Sequence, residues 1–337
     1  MSIRVKARVP ATTANMGPGF DCLGMALDLY NEMEFEVEVG GGSPDIKWPP
    51  VDSPGTGLGP GLECQAGTPP GKNLIYRSFA LTLDRLGVAC HSTRLRTLRT
   101  DIPIARGLGS SAACIVAGVL AAREVAVQVG AGTMSLAQAI DLAVEVEGHP
   151  DNVVPATLGG MTVAVWTEES STALGEGPPT DEHRRRVVHC RMDPPKDLTL
   201  AAFVPDFRLT TEQARGALPA TYSREDAVFN IGRAALLTAC LASGDLSRLR
   251  TAADDRIHQP YRLPLIAHSR DVIAAARAAG SEAEFVSGSG PTIMALVRGD
   301  GNAFAAEVAG KLAGIPGGWV LHLLKPALSG AVAWVVE

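Results

Sequence analysis

Residues 103–115 read Pro103-Ile104-Ala105-Arg106-Gly107-Leu108-Gly109-Ser110-Ser111-Ala112-Ala113-Cys114-Ile115, a glycine turn that runs straight into an apolar helix. Without a Cβ, Gly107 and Gly109 let the backbone come close to a ligand. A helix opening at Ser110 and Ser111 turns unpaired N–H groups and its positive dipole end toward an anion. The two hydroxyls add polar ligands. The string is not a Walker loop, because no Gly-x-x-x-x-Gly-Lys-Ser/Thr occurs in the chain, and it lacks the third glycine of the dinucleotide fingerprint. A serine cap after a glycine turn is the plain structural alternative. The density of glycine and serine behind Pro103 favours phosphate binding.

Around this loop lie 337 residues, enough for two domains with sizeable cores. The net charge is −6, and Lys and Arg cluster nowhere beyond Arg184-Arg185-Arg186, which argues against a nucleic-acid partner held by phosphate neutralisation. The six cysteines, Cys22, Cys64, Cys90, Cys114, Cys190 and Cys240, form no Cys-x-x-Cys pair. Neither a zinc knuckle nor a disulfide framework is indicated, and a reducing cytoplasm fits best. Met1 to Val9 alternates charged with aliphatic residues as a half-buried strand does, unlike the apolar core of a signal peptide. The apolar run from Ala112 to Gly130 is broken by Arg123-Glu124 and Gln128, too polar and too short to span a bilayer. A soluble protein with no membrane partner is expected.

Strand patterns occupy 3–9 and 32–39, and the Gly- and Pro-rich stretch 40–72 reads as a long, mobile, exposed loop. A helix is expected from Asn73 to about Leu86, a strand near 93–100, and a well-patterned helix from Ser110 to Val129. Ser135-Leu136-Ala137-Gln138 opens another helix as a capping box, ending near Glu147-Gly148. Val163 to Trp166 is a short buried strand, and the polar stretch 168–186 reads as a domain linker. The second half begins with a strand, Leu198 to Val204, followed by helical patterns at 210–218, 224–242, 246–254 and 264–279. Strands Glu284-Phe285-Val286 and Thr292 to Val297 flank a second glycine turn, Ser287-Gly288-Ser289-Gly290-Pro291. A helix at 302–313 and strands at 319–324 and 331–336 complete an α+β alternation.

Two further strings combine glycine with polar side chains: Thr12-Thr13-Ala14-Asn15-Met16-Gly17-Pro18-Gly19-Phe20-Asp21 after the first strand, and Glu145-Val146-Glu147-Gly148-His149-Pro150-Asp151-Asn152-Val153 at the end of a helix. Either can be read as a polar turn or cap. Together with the 103–113 loop and the Ser287 to Thr292 turn, in this order, they resemble the GHMP small-molecule kinases. Within that superfamily, Asn15 to Asp21 and Glu147 to Val153 resemble the homoserine kinase family. The resemblance runs from about residue 3 to about 336. It implies a two-domain fold with an N-terminal domain like ribosomal protein S5 domain 2 over 1–167 and a ferredoxin-like C-terminal domain over 187–337. It also implies ATP and Mg²⁺ as cofactors, L-homoserine as acceptor, a cytoplasmic location and a homodimer.

On this resemblance Pro103, Ile104, Ala105, Arg106, Gly107, Leu108, Gly109, Ser110, Ser111, Ala112 and Ala113 bind ATP, with Asn73 near the adenine, although an N-cap explains Asn73 equally well. Mg²⁺ needs one hydroxyl, assigned to Ser111, and one carboxylate from the helix before Gly148. The helical pattern puts Glu145 on the polar side and leaves Glu147 as the anomaly on the apolar side. Alignment to the family's Gly-Glu-Leu-Glu-Gly version favours Glu145, which is assigned here with Glu147 as the rival. Asn15, Asp21, His149, Asp151, Asn152, Thr211 and Gly288 line the homoserine pocket, with Asp21 or Asp151 facing the ammonium. Arg215 and Arg262 hold the carboxylate, a task that suits the planar guanidinium fork. Asn152 near the acceptor hydroxyl, with Arg215, is assigned to catalysis, and His149 as a general base is the rival. Another kinase of the superfamily, acting on mevalonate, shikimate or a sugar, and a sensor that keeps the fold without catalysis are the alternatives.

Overall fold

The computed structural model describes residues 1–40, 45–47, 73–168 and 185–336. Apart from Gly40 and residues 45–47, the loop expected over 40–72 lies outside the described residues. So does the linker expected over 168–186, apart from its two ends.

The first strand, β1 (Ser2–Ala14), pairs antiparallel with β2 (Leu23–Val39), and β2 pairs with β4 (Cys90–Thr100). The alternation read at the N-terminus is realised: Ile3, Val5, Ala7 and Val9 are buried, while the intervening positions face outward. The outward rows carry alternating charge, with Arg4, Lys6 and Arg8 of β1 opposite Glu36, Glu34 and Glu32 of β2. Those glutamates face Arg94, Arg96 and Arg99 of β4. Pairs such as Lys6–Glu34 at 3.9 Å and Arg94–Glu36 at 3.2 Å each contribute little. The ladder instead penalises a one-residue slip, which would turn this face into the core.

The sheet runs in the order β11-β1-β2-β4-β3, with β11 (Val332–Val335) at one edge, β3 (Asp45–Lys47) parallel to β4, and β5 (Met161–Glu168) joining β2 to β6 (Arg185–Met192). Its apolar face is covered by α1 (Leu74–Arg85), α2 (Ser110–Gln128), α3 (Leu136–Glu147) and α4 (Pro150–Leu158). Contrary to the expectation that the run from Ala112 is too polar and too short to span a bilayer, helix α2 is long and apolar enough to do so, but 78% of its most apolar stretch is buried inside the protein. Its hydropathy is that of a central core helix. The capping box at Ser135 and Gln138 is present as read.

The second sheet is antiparallel in the order β10-β7-β9-β8, from β7 (Leu198–Val204), β8 (Ala283–Val286), β9 (Ile293–Arg298) and β10 (Val320–Leu324). Strand β7 is buried on both faces. Leu198, Leu200 and Ala202 pack into the core shared with the first half, and Ala201 and Phe203 into a second core. Among the described residues the remaining α-helices are α5 (Thr211–Gly216), α6 (Arg224–Ser243), α7 (Leu249–Ala252), α8 (Gln259–Arg262), α9 (Ser269–Ala278) and α10 (Asn302–Leu312).

Three expectations are corrected. The boundary at 187 falls inside β6, which pairs with β5 along its whole length, and the last strand β11 (Val332–Val335) returns to pair with β1. One sheet therefore takes strands from both the first and the last described residues. The helix expected over 264–279 starts only at Ser269. Pro264 sits in a tight 3₁₀ turn, Ile266 is extended and His268 is left-handed at φ 60°. The Glu145 to Val153 string ends one helix and also opens the next, with Pro150 at the first turn of α4.

Candidate active site

A cleft opens where the glycine loop, the α3–α4 junction, the 15–21 loop and the arginines of the second half converge. On one wall, Gly107 and Gly109 have φ of 78° and 71°, and Gly109 precedes α2 with no side-chain cap. The Oγ of Ser110 is buried without a hydrogen-bond partner. A buried hydroxyl and uncapped helix amides facing a cleft are suited to an anion. Pro103, Leu108, Ala112 and Ala113 are buried behind this wall, supporting the loop, and Ile104 is half-buried outside the cleft lining.

The second half of the chain braces the loop. The Ser287 hydroxyl donates to the Gly107 carbonyl at 2.6 Å, and Thr13 Oγ1 lies 2.8 Å from Ser287 Oγ. Arg106 donates to the carbonyls of Pro205 and Asp206. A Cβ on Gly107 would stand 2.3 Å from the Ser287 carbonyl oxygen, so this contact admits only glycine. Asn73 is buried, and its side chain accepts the Tyr76 N–H at 3.1 Å as the N-cap of α1. The capping reading is thus realised, and Asn73 is not among the cleft-lining residues.

Of the two glutamates weighed for the metal, Glu145, the one assigned, lies outside the cleft, and its rival Glu147 lines it. Glu145 points away from the cleft, and Arg85 at the end of α1 donates to both its oxygens at 2.9 Å. Glu147, the last residue of α3, lines the cleft and accepts the Ser111 hydroxyl at 2.6 Å. Two helix positions separate the glutamates by about 200°. The one facing the start of α2 is the anomaly of the pattern. Burial raises the Glu147 pKa, against the opposing pull of His149 and the Ser111 hydroxyl. A hydroxyl beside a buried carboxylate, next to an orphaned serine, is a hard-oxygen donor set that fits Mg²⁺.

Beyond Gly148, the N-terminal turn of α4 presents His149, Asp151 and Asn152. Asp151, 2% exposed, lies 2.5 Å from His149 Nδ1 and accepts from Asn152 Nδ2 at 3.3 Å. Thr12 donates to Asn152 Oδ1 at 2.7 Å, which fixes the amide's orientation. Burial lowers the His149 pKa, but the hydrogen bond and charge of Asp151, with Glu147 and Asp21, outweigh it, and the net shift is upward. Asp21, His149 and Asp151 present their donor atoms within 4.8 Å of one another, a nest for a cation.

The opposite wall carries the cationic groups. Asn15, Met16 and Asp21 hold left-handed φ of 65°, 49° and 57°, and Asn15 Nδ2 ties the turn to the Gly288 carbonyl at 2.7 Å. Arg215 grips both oxygens of Asp21, at 2.8 and 3.1 Å, and Thr211 lines the cleft one turn earlier on α5. Arg262 is 2% exposed, donates to the Gly288 carbonyl at 3.0 Å and lies 5.1 Å over the Phe20 ring. Burial and the neighbouring Arg215 pull its pKa down. The expected substrate residues are therefore brought to one cleft.

Sequence reasoning missed the groups that hold these residues in place. Asn230 donates to the Pro18 carbonyl at 2.9 Å, and His258 Nε2 lies 2.7 Å from the Gly17 carbonyl. His258 Nδ1 faces the Arg262 guanidinium, a pure donor, at 3.3 Å, so the imidazole is the neutral Nε2–H tautomer. Burial lowers its pKa, Asp255 opposes, and Arg262 adds to the lowering. With a folded-state pKa below the ordinary 6.5, the unfolded chain takes up the proton first, so stability falls as pH drops below about 6.5. The stability gap between the wild type and His258→Gln is expected to narrow as pH falls from about 7 to about 5, in urea titrations at each pH. A constant gap would show that His258 titrates alike in both states.

A GHMP kinases N terminal domain model matches residues 73–160, and a GHMP kinases C terminal model matches residues 236–313. Fold and site thus define a GHMP kinase. The chain is 40% identical to the homoserine kinase of Clostridium kluyveri over 97% of each protein, and 39% identical to that of Clostridium novyi over 97% of this chain and 98% of the relative. A crystal structure of homoserine kinase from Cytophaga hutchinsonii superposes with a TM-score of 0.78 at 27% identity, covering 99% of this chain and 97% of the other. The chain belongs to the homoserine kinase family.

Proposed function

We propose that this kinase transfers the γ-phosphoryl group of ATP to the side-chain hydroxyl of L-homoserine, giving O-phospho-L-homoserine and ADP for threonine biosynthesis. One observation carries the substrate assignment. The cleft joins an uncapped helix end to a wall where acids Asp21 and Asp151 stand beside Arg215 and Arg262, the charge pattern of an amino-acid zwitterion.

The amides from Gly107 to Ala112 cradle the triphosphate. Ser111 and Glu147 are the residues that would hold Mg²⁺, whose charge offsets that of the phosphates when bound. Asp21 and Asp151 take the ammonium, and the two arginines take the carboxylate. Asn152, oriented by Thr12, directs the acceptor hydroxyl. His149 faces carboxylates through both ring nitrogens, at 2.5 Å to Asp151 and 4.0 Å to Glu147, which favours its protonated form. A cation is no base. With a loose transition state the acceptor proton leaves late, and positioning suffices.

Coupled ADP release with L-homoserine, mevalonate and shikimate tests the assignment. Turnover with homoserine is expected, and turnover with only one of the others would overturn it. Asn152→Ala is expected to lower kcat about a hundredfold, whereas His149→Ala mainly raises KM for the amino acid. The reverse pattern would make His149 the base.

A further inference from the structure

Asp21 and Arg215 are assigned to opposite ends of the substrate, yet in the structure they hold each other. Both terminal nitrogens of Arg215 meet the two oxygens of Asp21, across 194 residues of sequence and from one half of the chain to the other. Asp151 and His149 crowd Asp21 from one side, and Arg262 stands beside Arg215 on the other. We propose that the Asp21–Arg215 pair is an internal substitute for the zwitterion, and that the site admits an amino acid by exchanging this one pair for two. The exchange rests on the proposed function and adds a selection rule to it.

The rule follows from what each partial ligand leaves behind. A ligand with a carboxylate alone must pull Arg215 from Asp21, leaving that carboxylate next to Asp151 with only His149 nearby, which Asp151 already holds at 2.5 Å. A ligand with an ammonium alone takes Asp21 and leaves Arg215 unpaired beside Arg262. Only a zwitterion re-pairs both. Two independent subsites would show no such penalty.

The discriminating experiment is calorimetric binding, without nucleotide, of L-homoserine, 4-hydroxybutyrate and 3-aminopropan-1-ol to the wild type, Asp21→Asn and Arg215→Gln. Asparagine tolerates the left-handed φ of 57° at position 21, so Asp21→Asn keeps the turn. Asp21→Asn is expected to weaken L-homoserine about tenfold and to tighten 4-hydroxybutyrate roughly two- to fivefold, the worth of one half-exposed ion pair. Arg215→Gln is expected to weaken L-homoserine and to tighten 3-aminopropan-1-ol by a similar factor. Unchanged or weaker binding of the single-charge ligands in both variants would overturn the exchange. If the wild type bound no L-homoserine while the single-charge ligands still tightened, the exchange would stand and the homoserine assignment would fall.

Discussion

Glu147→Gln is expected to lower kcat by about two to three orders of magnitude, while Glu145→Gln stays within about twofold of the wild type. Glutamine keeps the size of Glu147 and can still accept the Ser111 hydroxyl, so the packing at the end of α3 survives. What disappears is a negative charge on a side chain that is 9% exposed, at the point where the α2 N-terminus meets α3. In so dry a place the charge acts at short range and is weakly screened by salt. Steady-state kinetics across a Mg²⁺ titration supplies the check. The lost activity should be recovered only partly at high Mg²⁺. A larger loss from Glu145→Gln would instead return the metal to the exposed glutamate that Arg85 now holds.

The second large effect is expected at Gly107. Its φ of 78° costs an L-residue about 1–2 kcal/mol, and an added Cβ would also meet the Ser287 oxygen at 2.3 Å and the Gly290 oxygen at 2.9 Å. Both obstacles are backbone, so neither can swing aside. Gly107→Ala should therefore lower unfolding free energy by about 2–4 kcal/mol, read by denaturant titration. It should also push the phosphate wall away from the 287–290 turn. A displacement near 1 Å at a reacting site costs about a hundredfold in rate, and kcat/KM is expected to fall at least that far. Gly87, at φ 68° with open space around it, is the control: Gly87→Ala carries the backbone strain without the collision. Equal losses from the two substitutions would refute the close-contact explanation.

Local chemistry made much of the fold legible before any coordinates. The alternation at residues 3–9, the Ser135 capping box and the apolar run after Ser110 each fix their own element through short-range spacing, and each is present. β6 was missed because it has no apolar-in, polar-out alternation: Val188 and Cys190 are exposed along with Arg186, His189 and Arg191, so no buried face marks it. β11 was read as a strand, but nothing in four residues says which sheet they join. Registers between distant strands are set by mutual packing and cannot be read one segment at a time.

The site divides the same way. Glycine turns, helix starts and the His149 to Asn152 string announce themselves because they violate core composition. The helical pattern had marked Glu147 as the anomaly, and it is Glu147, not the Glu145 favoured by alignment, that lines the cleft. Thr12, Asn230 and His258 gave no warning. Their importance lies in reaching carbonyl or amide oxygens 140 to 241 residues away, a relation created by folding alone.

The return of β11 to β1 also governs how the protein can be made. During synthesis β1 is made well before β11, and the edge it will share with Val332 to Val335 stays unpaired until those residues follow. A nascent chain therefore carries an open strand edge while everything between the two strands is made, with Lys6 and Arg8 as the charges that discourage a wrong partner. Truncating the chain before Val332 would leave that edge permanently uncovered.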